Sequence, residues 1–271
     1  MLLMNQYSIG REIAYKLRLK NVLIWLLIMC LPIIYYFGVR GNYEFRDTLD
    51  VFTFMVEGLA IFFPILATLV YLPSVAEELK NRFLVFTRLR MPIKRLLFIK
   101  FSTNFLLSFS VFFIFIFLLF ILSFFIFPSQ GWVHLQPEAY SLNEITVKED
   151  AYTRHTFTQL LEYGSLTYGL VYSLWVGINA AIYASIGFLL LILVPNKFVA
   201  MTVPTLIYLI GSYILSLVHL RPFRLLDSIF PYSYIQQPIW TAVIPFIALC
   251  CVCLFLFLYI RKKFDRLDDL I

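Results

Sequence analysis

Charged residues are scarce in this chain. Only 14% of its 271 residues are Asp, Glu, Lys or Arg, whereas 61% are hydrophobic. Soluble domains carry roughly 25% charged residues, so the composition excludes an ordinary water-soluble fold and predicts a protein of the lipid bilayer. The formal net charge of +6 then indicates basic loops that hold the orientation of the chain in the membrane. It gives no reason to expect a nucleic-acid partner.

Cysteine and histidine are also rare, which limits the chemistry available. The four cysteines all lie inside apolar runs, so no disulfide framework or metal spacing follows from them. None of the ten glycines is followed by lysine, so the chain lacks the Gly-x-x-x-x-Gly-Lys loop that binds nucleotide phosphates. We therefore expect no cofactor in this chain and no ATP hydrolysis through that loop.

What the sequence has in abundance is long apolar runs, which predict an all-α protein with six transmembrane helices. A helix needs about 20 mainly apolar residues to cross a bilayer. The six predicted spans are Val22–Gly38, Thr53–Leu72, Ser102–Phe127, Leu166–Val194, Phe198–Val218 and Trp240–Ile260. We expect one membrane domain over residues 1–271, because no low-complexity segment or repeat divides the chain.

The distribution of Lys and Arg predicts the orientation of the spans. Residues 1–21, 73–100, 195–197 and 261–271 together carry sixteen of them, and the segments on the opposite side carry six. Basic loops stay in the cytoplasm, so we expect both termini and segment 73–100 inside, with segments 128–162 and 219–238 outside. Ile9, Ile13 and Leu17 share one face of a basic stretch, which predicts an N-terminal amphipathic helix on the membrane surface, although a plain charged flank has the same pattern.

The segment over residues 73–100 is basic and amphipathic, and it separates the second and third spans. Val75, Leu79, Phe83 and Phe86 recur at helical spacing. Pro92 is expected to end or kink the helix. We therefore predict a short helix, Ala76–Leu89, at the cytoplasmic face.

The fourth span carries a seam of small residues at helical spacing: Ser173, Gly177, Ala180, Ala184 and Gly187. Small side chains let membrane helices approach closely. The seam is expected to pack either within one subunit or across a dimer.

Two polar residues stand out within the spans. Glu57 lies near the outer end of the second span, where an unpaired carboxylate costs several kcal/mol of burial. It is a candidate for a water-accessible translocation pathway, or else a group that reaches the interface. Asn179 in the fourth span is a second candidate for that pathway, or a hydrogen bond between packed helices.

One catalytic interpretation can be tested on the sequence. The acids Glu77 and Glu78, with Arg82, match the Glu-Glu-x-x-x-Arg pattern of intramembrane CAAX-protease-like enzymes. Those enzymes also need histidines near the acids, and the three histidines of this chain, His134, His155 and His219, are all predicted on the opposite side. A general base must lie within hydrogen-bond reach of the proton that it takes, so we expect no enzyme activity.

Taken together, the layout resembles that of ABC-2 type permeases, the membrane-spanning subunits of ABC exporters. The shared features are six spans, internal termini, an amphipathic N-terminal helix and a long first cytoplasmic loop. In the family this loop carries acidic residues, a short helix, and then a Pro and a Lys before the third span. Glu77-Glu78, Phe83–Leu89, Met91-Pro92-Ile93 and Lys100 stand at those places, although Asn81 or Arg82 replaces the glycine that the family often has.

The resemblance implies a transport subunit without its own motor. A separate ABC ATPase subunit would bind ATP and Mg²⁺, and a second permease copy or a homologous permease would complete the pathway within the membrane lipid. The residues that the resemblance places at the ATPase are Glu77, Glu78, Arg82, Phe83, Phe86 and Pro92. It also implies a re-entrant pair of short helices over Phe223–Ile235.

The function expected from the sequence is export of an amphipathic or lipophilic substrate, such as a peptide, a drug or a lipid-like molecule, across the cell membrane. The main alternative is an ion-coupled secondary transporter or channel, which would need several intramembrane charges. Less favoured alternatives are the intramembrane CAAX-protease-like enzyme and a membrane scaffold with no transport role. Segment 128–162 carries five acids against two bases, which favours cationic cargo or serves solubility alone.

Overall fold

The computed structural model of the protein describes residues 8–17, 19–80, 92–231 and 236–263. Within these ranges the chain is helical and forms no β-strand, so the all-α class is confirmed. The sole bridge between extended residues there pairs Phe45 with Leu135.

The α-helices are numbered here in chain order. They are α1 Ile9–Lys16, α2 Leu19–Val39, α3 Thr48–Leu69, α4 Leu72–Lys80, α5 Ile93–Ile121, α6 Glu144–Arg154, α7 Ser165–Leu193, α8 Lys197–Leu217, α9 Leu225–Ile229 and α10 Trp240–Lys263. A π-helical turn, Leu122–Ile126, and a last helical turn, Phe127–Ser129, extend α5. Short 3₁₀ helices are Arg40–Asn42, Pro137–Tyr140, Thr156–Tyr163 and Arg221–Phe223.

Among the described residues, six helical stretches are long and apolar enough to cross a membrane, which indicates a multi-pass membrane protein. They are Asn21–Asn42, Thr48–Lys80, Ile93–Ser129, Ser165–Leu193, Lys197–Leu217 and Trp240–Lys262. All six predicted spans are confirmed as helices, and several of them extend beyond their predicted ends. We call the two ends of this bundle the α1 end and the α6 end, after the helices that lie there.

The predicted helix over 76–89 is described only at its start, where residues 76–80 are helical and form the end of α4. Helix α4 continues α3 almost without a break, because Pro73 lies in its first turn, where its missing N–H removes no helical hydrogen bond. Residues 81–91 lie outside the described ranges. Pro92 is the residue before α5 begins, so the third span starts well before the predicted Ser102. The first turns of α5 are helical because Leu96, Leu97 and Ile99 are buried in the bundle.

Side-chain caps fix where several helices begin. The Asp47 carboxylate accepts a hydrogen bond from the Asp50 amide, 2.9 Å away, at the start of α3. Asn143 caps α6 in a reciprocal arrangement with Thr146, and Asn196 caps α8. Each cap satisfies backbone N–H groups that have no partner in the first helical turn.

The small-residue seam of α7 packs inside the subunit. Helices α5 and α7 run antiparallel and touch where α7 has no side chain: a Cβ placed at Gly177 would lie 3.1 Å from the Phe109 carbonyl oxygen. At Gly187 a Cβ would meet Leu72 at 2.8 Å. The intramolecular alternative is therefore the one that the structure supports.

The segment between α8 and α10 turns back into the bundle. Helix α9 is buried at every residue except the half-buried Leu226, and the ring of Phe230 packs against Phe63 with centroids 5.1 Å apart. Phe63 lies 15 residues into α3, or about 22 Å along its axis at the helical rise. The segment is thus re-entrant, with α9 as its helix, while residues 232–235 lie outside the described ranges.

Candidate functional site

A buried group of charged side chains ties three helices together at the α1 end. Lys100 of α5 lies 3.1 Å from a carboxylate oxygen of Glu12 on α1 and 2.5 Å from one of Glu78 on α4. Lys16 lies 2.7 Å from the other oxygen of Glu78. The Tyr71 hydroxyl donates to Glu12 at 2.7 Å. We call Glu12, Lys16, Tyr71, Glu78 and Lys100 the α1-end cluster.

The α1-end cluster is balanced in charge, with two carboxylates and two ammonium groups. The Lys100 side chain is 1% exposed and that of Glu12 is 5% exposed. A buried charge is costly unless it is paired and hydrogen-bonded, and each of these charges has an opposite partner within 4 Å. The cluster therefore holds one arrangement of helices and penalises others that would separate its charges.

Helix α4 receives contacts from three sides. Lys16 of α1 donates to the Ser74 hydroxyl as well as to Glu78. Lys197, at the start of α8, donates to the Ala76 carbonyl at 2.7 Å. With Lys100 of α5 included, charged groups from α1, α5 and α8 all hold α4 in place.

The predicted ATPase-facing residues fall into three groups. Glu78 belongs to the α1-end cluster, whereas its neighbour Glu77 is exposed. Pro92 is exposed at the start of α5. Arg82, Phe83 and Phe86 lie outside the described residues, so their predicted role stays a prediction.

Sequence reasoning missed Glu12 and the role of Lys100. Glu12 and Lys16 are four residues apart and share a helical face, and Lys100 interrupts an apolar run of α5. A lysine in such a run needs a partner, and that signal pointed to an acid on a neighbouring helix. The sequence could not say which acid, because Glu12 and Glu78 are distant from Lys100 along the chain.

A second charge cluster lies at the α6 end, around the start of α3. Arg154, at the end of α6, lies 3.0 Å from Asp47, 2.6 Å from Asp50 and in contact with Asp150. Arg46 lies 2.8 Å from Asp50 and 3.4 Å from Asp150. These pairs fasten α6 to the start of α3, so the acid at position 150 has a structural role that the charge of its segment did not reveal.

Burial and pairing act against each other on the ionisation of this cluster. Burial raises the pKa of the Asp47 carboxyl, and the Arg154 guanidinium opposes part of that rise. Burial by itself lowers the pKa of Arg154, but Asp47, Asp50 and Asp150 outweigh it and leave that pKa above its ordinary value. Arg154 therefore stays charged and holds the three carboxylates together.

A cavity of about 610 Å³ opens beside this cluster, between the first half of α3 and the re-entrant segment. Its lining includes Tyr43, Phe54, Glu57, Ala60, Arg224 and Asp227. Ligand pockets in proteins typically measure roughly 300–1,000 Å³, so the volume suits a small organic molecule. We call this space the α6-end cavity.

The two residues predicted to line a pathway are placed differently. Glu57 lines the α6-end cavity and is exposed there. Asn179 is fully buried, donates to the Trp175 carbonyl at 2.9 Å and is not part of that lining. The structure brings Glu57, and not Asn179, to a space that can hold a ligand.

The histidines and the acidic pair of the protease pattern lie at opposite ends of the bundle. His155 lines the α6-end cavity, whereas Glu78 belongs to the α1-end cluster and Glu77 is its neighbour. The helical stretch Thr48–Lys80 separates the two ends. No histidine is therefore within reach of these acids for proton transfer.

Comparison with known proteins gives no relative for this chain: no protein-family model, no curated protein and no solved structure matches it.

Proposed function

We propose that this chain is the membrane-spanning permease subunit of an ATP-driven ABC exporter. It works with a separate ABC ATPase subunit, which binds ATP and Mg²⁺, and with a second permease copy or a homologous permease. The substrate is an amphipathic or lipophilic molecule that leaves the cell through the cell membrane. The absence of a phosphate-binding loop in the sequence supports the separate motor.

The observation that carries the proposal is the fastening of α4 by charged groups of α1, α5 and α8. Helix α4 continues the second span, and α5 is the third. A rigid displacement of α4 must therefore move both spans and the surface helix α1 with it. Rigid-body motion of packed helices is a common way to pass a conformational change between sites.

The docking surface for the motor is proposed on the segment that follows α4. The side chains proposed to contact the ATPase are Arg82, Phe83 and Phe86, together with the exposed Glu77 and Pro92. Aromatic anchors dominate the free energy of many protein interfaces, and truncating one costs about 2 kcal/mol or more of binding. Phe83 and Phe86 are the proposed anchors.

The test is co-purification of the ATPase with variants of these anchors. The double variant Phe83→Ala, Phe86→Ala should lose the ATPase and transport while the permease itself stays folded in the membrane. Phe255→Ala removes an exposed phenylalanine of α10, outside the proposed docking surface, and serves as the matched control. Undiminished association and normal transport in the double variant would reject this docking surface.

An ion-coupled secondary transporter is the second candidate, and the buried Lys100 is the observation that favours it. Charges within spans often mark ion pathways. Against this, Lys100 is compensated by Glu12 and Glu78 at the very end of the bundle. Transport by the chain in vesicles that contain no ATPase and carry an ion gradient would favour this alternative over the exporter.

A further inference from the structure

The α6-end cavity carries an excess of negative charge that the protein does not neutralise. Two arginines line it, and aspartates bind both: Arg46 is paired with Asp50, and Arg224 lies 2.5 Å from Asp227. Glu44 and Glu57 also line it. In the part of the chain that the structure describes, neither glutamate has an ion-pair partner.

Glu57 is the unpaired glutamate of this cavity that lies on a helix. It lies nine residues into α3, about 13 Å along the helix axis from Thr48, and close to Ala60, which also lines the cavity. A charge near low-dielectric surroundings attracts an opposite charge more strongly than it does in bulk water. The unpaired carboxylate therefore favours a cationic occupant and disfavours an anion.

An aromatic wall stands beside these carboxylates. Phe54, one helical turn before Glu57, packs with Tyr43 at a centroid distance of 5.0 Å and with Phe45 at 5.6 Å. All three line the cavity. Aromatic faces attract organic cations, with a gain of about 0.5–2 kcal/mol according to how dry the site is.

We infer that the α6-end cavity binds a monovalent organic cation, whose charged centre lies at Glu57 and whose apolar body packs on Phe54 and Tyr43. Two observations point to the same chemistry independently, because the carboxylates select charge and the rings select an organic body. Taken as the substrate class of the permease, this inference rests on the proposed function. Cation binding itself needs no ATPase and can be measured on the purified chain.

The probe pair is tetraphenylphosphonium and tetraphenylborate, which have nearly the same shape and opposite charge. Calorimetric titration of the full chain in maltoside micelles should show binding of the phosphonium and not of the borate. Glu57→Gln should weaken phosphonium binding about tenfold, equivalent to about 1.4 kcal/mol. The control Glu149→Gln makes the same change at an exposed position of α6 that is not part of the cavity lining and should leave the affinity unchanged.

Two further variants keep the test decisive if Glu57→Gln does not elute as a folded protein. Glu57→Asp keeps the charge, and its affinity for the phosphonium should stay within about threefold of that of the parent protein. Phe54→Leu keeps the apolar volume but removes the ring, so its affinity for the phosphonium should fall at least about threefold, in line with the cation–π contribution. Equal affinity of the parent for both probes overturns the inference. Unchanged phosphonium affinity in folded Glu57→Gln, or in Phe54→Leu where Glu57→Gln fails to fold, also overturns it.

The charged centre at Glu57 could belong to a free organic cation or to a lipid headgroup. Competition experiments separate these two sources. Dihexanoyl phosphocholine should displace the phosphonium, and dihexanoyl phosphoglycerol should not, if the natural occupant is a choline-type headgroup. Displacement by neither lipid assigns the cavity to free organic cations. These binding measurements use the purified chain and do not depend on an ATPase. A failure of the proposed exporter function would therefore show separately, in the co-purification test with the Phe83→Ala, Phe86→Ala variant.

Discussion

Lys100 is the residue on which the α1-end cluster depends, because its ammonium group is shared by two carboxylates from different helices. Its side chain is almost completely buried, so water cannot replace a lost partner. Breaking a buried ion pair by removing one partner costs about 3–5 kcal/mol, since the remaining charge stays buried. Removal of Lys100 alone should therefore produce a measurable loss in the free energy of unfolding.

The prediction at this scale is that Lys100→Met lowers the free energy of unfolding by about 3 kcal/mol. Thermal unfolding in detergent, followed by loss of the monodisperse peak in gel filtration, measures the effect. The double variant Lys100→Met, Glu12→Gln removes one charge of each sign and should recover part of the loss. Lys148→Met, at an exposed lysine of α6, is the control and should be neutral. If Lys100→Met unfolds at the parent temperature, the cluster has no such role.

Helices α5 and α7 form the central contact of the bundle, and glycine determines how closely they approach. The missing side chain at Gly177 allows the backbone of α5 at Phe109 to come within van der Waals contact. Membrane helices gain no hydrophobic free energy by leaving lipid, so close packing of small residues supplies much of their association. The close packing of α7 therefore depends on several small residues along the helix together, and not on any one side chain.

At the element scale we predict that Gly177→Leu destabilises the bundle by about 1–3 kcal/mol through overpacking. For a chain of this size, the unfolding temperature of Gly177→Leu is expected to fall by several degrees. Gly58→Leu is the matched control, since a Cβ at Gly58 has no neighbour within 4 Å. Equal unfolding temperatures for the two leucine variants would mean that the close contact of α5 and α7 at Gly177 contributes no measurable stability.

The two ends of the molecule differ in character, since one holds the α1-end cluster and the other holds the α6-end cavity. The six long apolar helices of the described residues connect them. The proposed function requires the α1 end to face the ATPase and therefore the cytoplasm, with the cavity on the outer side. The charge distribution of the sequence, sixteen basic residues against six, predicts that orientation.

Single cysteines test this orientation in a background that lacks Cys30, Cys250, Cys251 and Cys253. A membrane-impermeant thiol reagent added to intact cells should label Ser141→Cys and leave Asn81→Cys unlabelled. Disruption of the membrane should then expose position 81. Labelling of position 81 from outside would invert the topology and remove the basis for motor docking.

The sequence by itself determined the helical class, the six spans, the lack of a phosphate-binding loop and the small-residue seam of α7. These properties follow from local composition and helical periodicity, which do not depend on distant residues. Only the tertiary structure decided that Glu12, Glu78 and Lys100 meet, that Asp150 pairs with Arg154, and that Glu57 lines a cavity while Asn179 is buried. An ion pair or a cavity needs groups from separate helices at a defined distance, and that distance is set by how the helices pack.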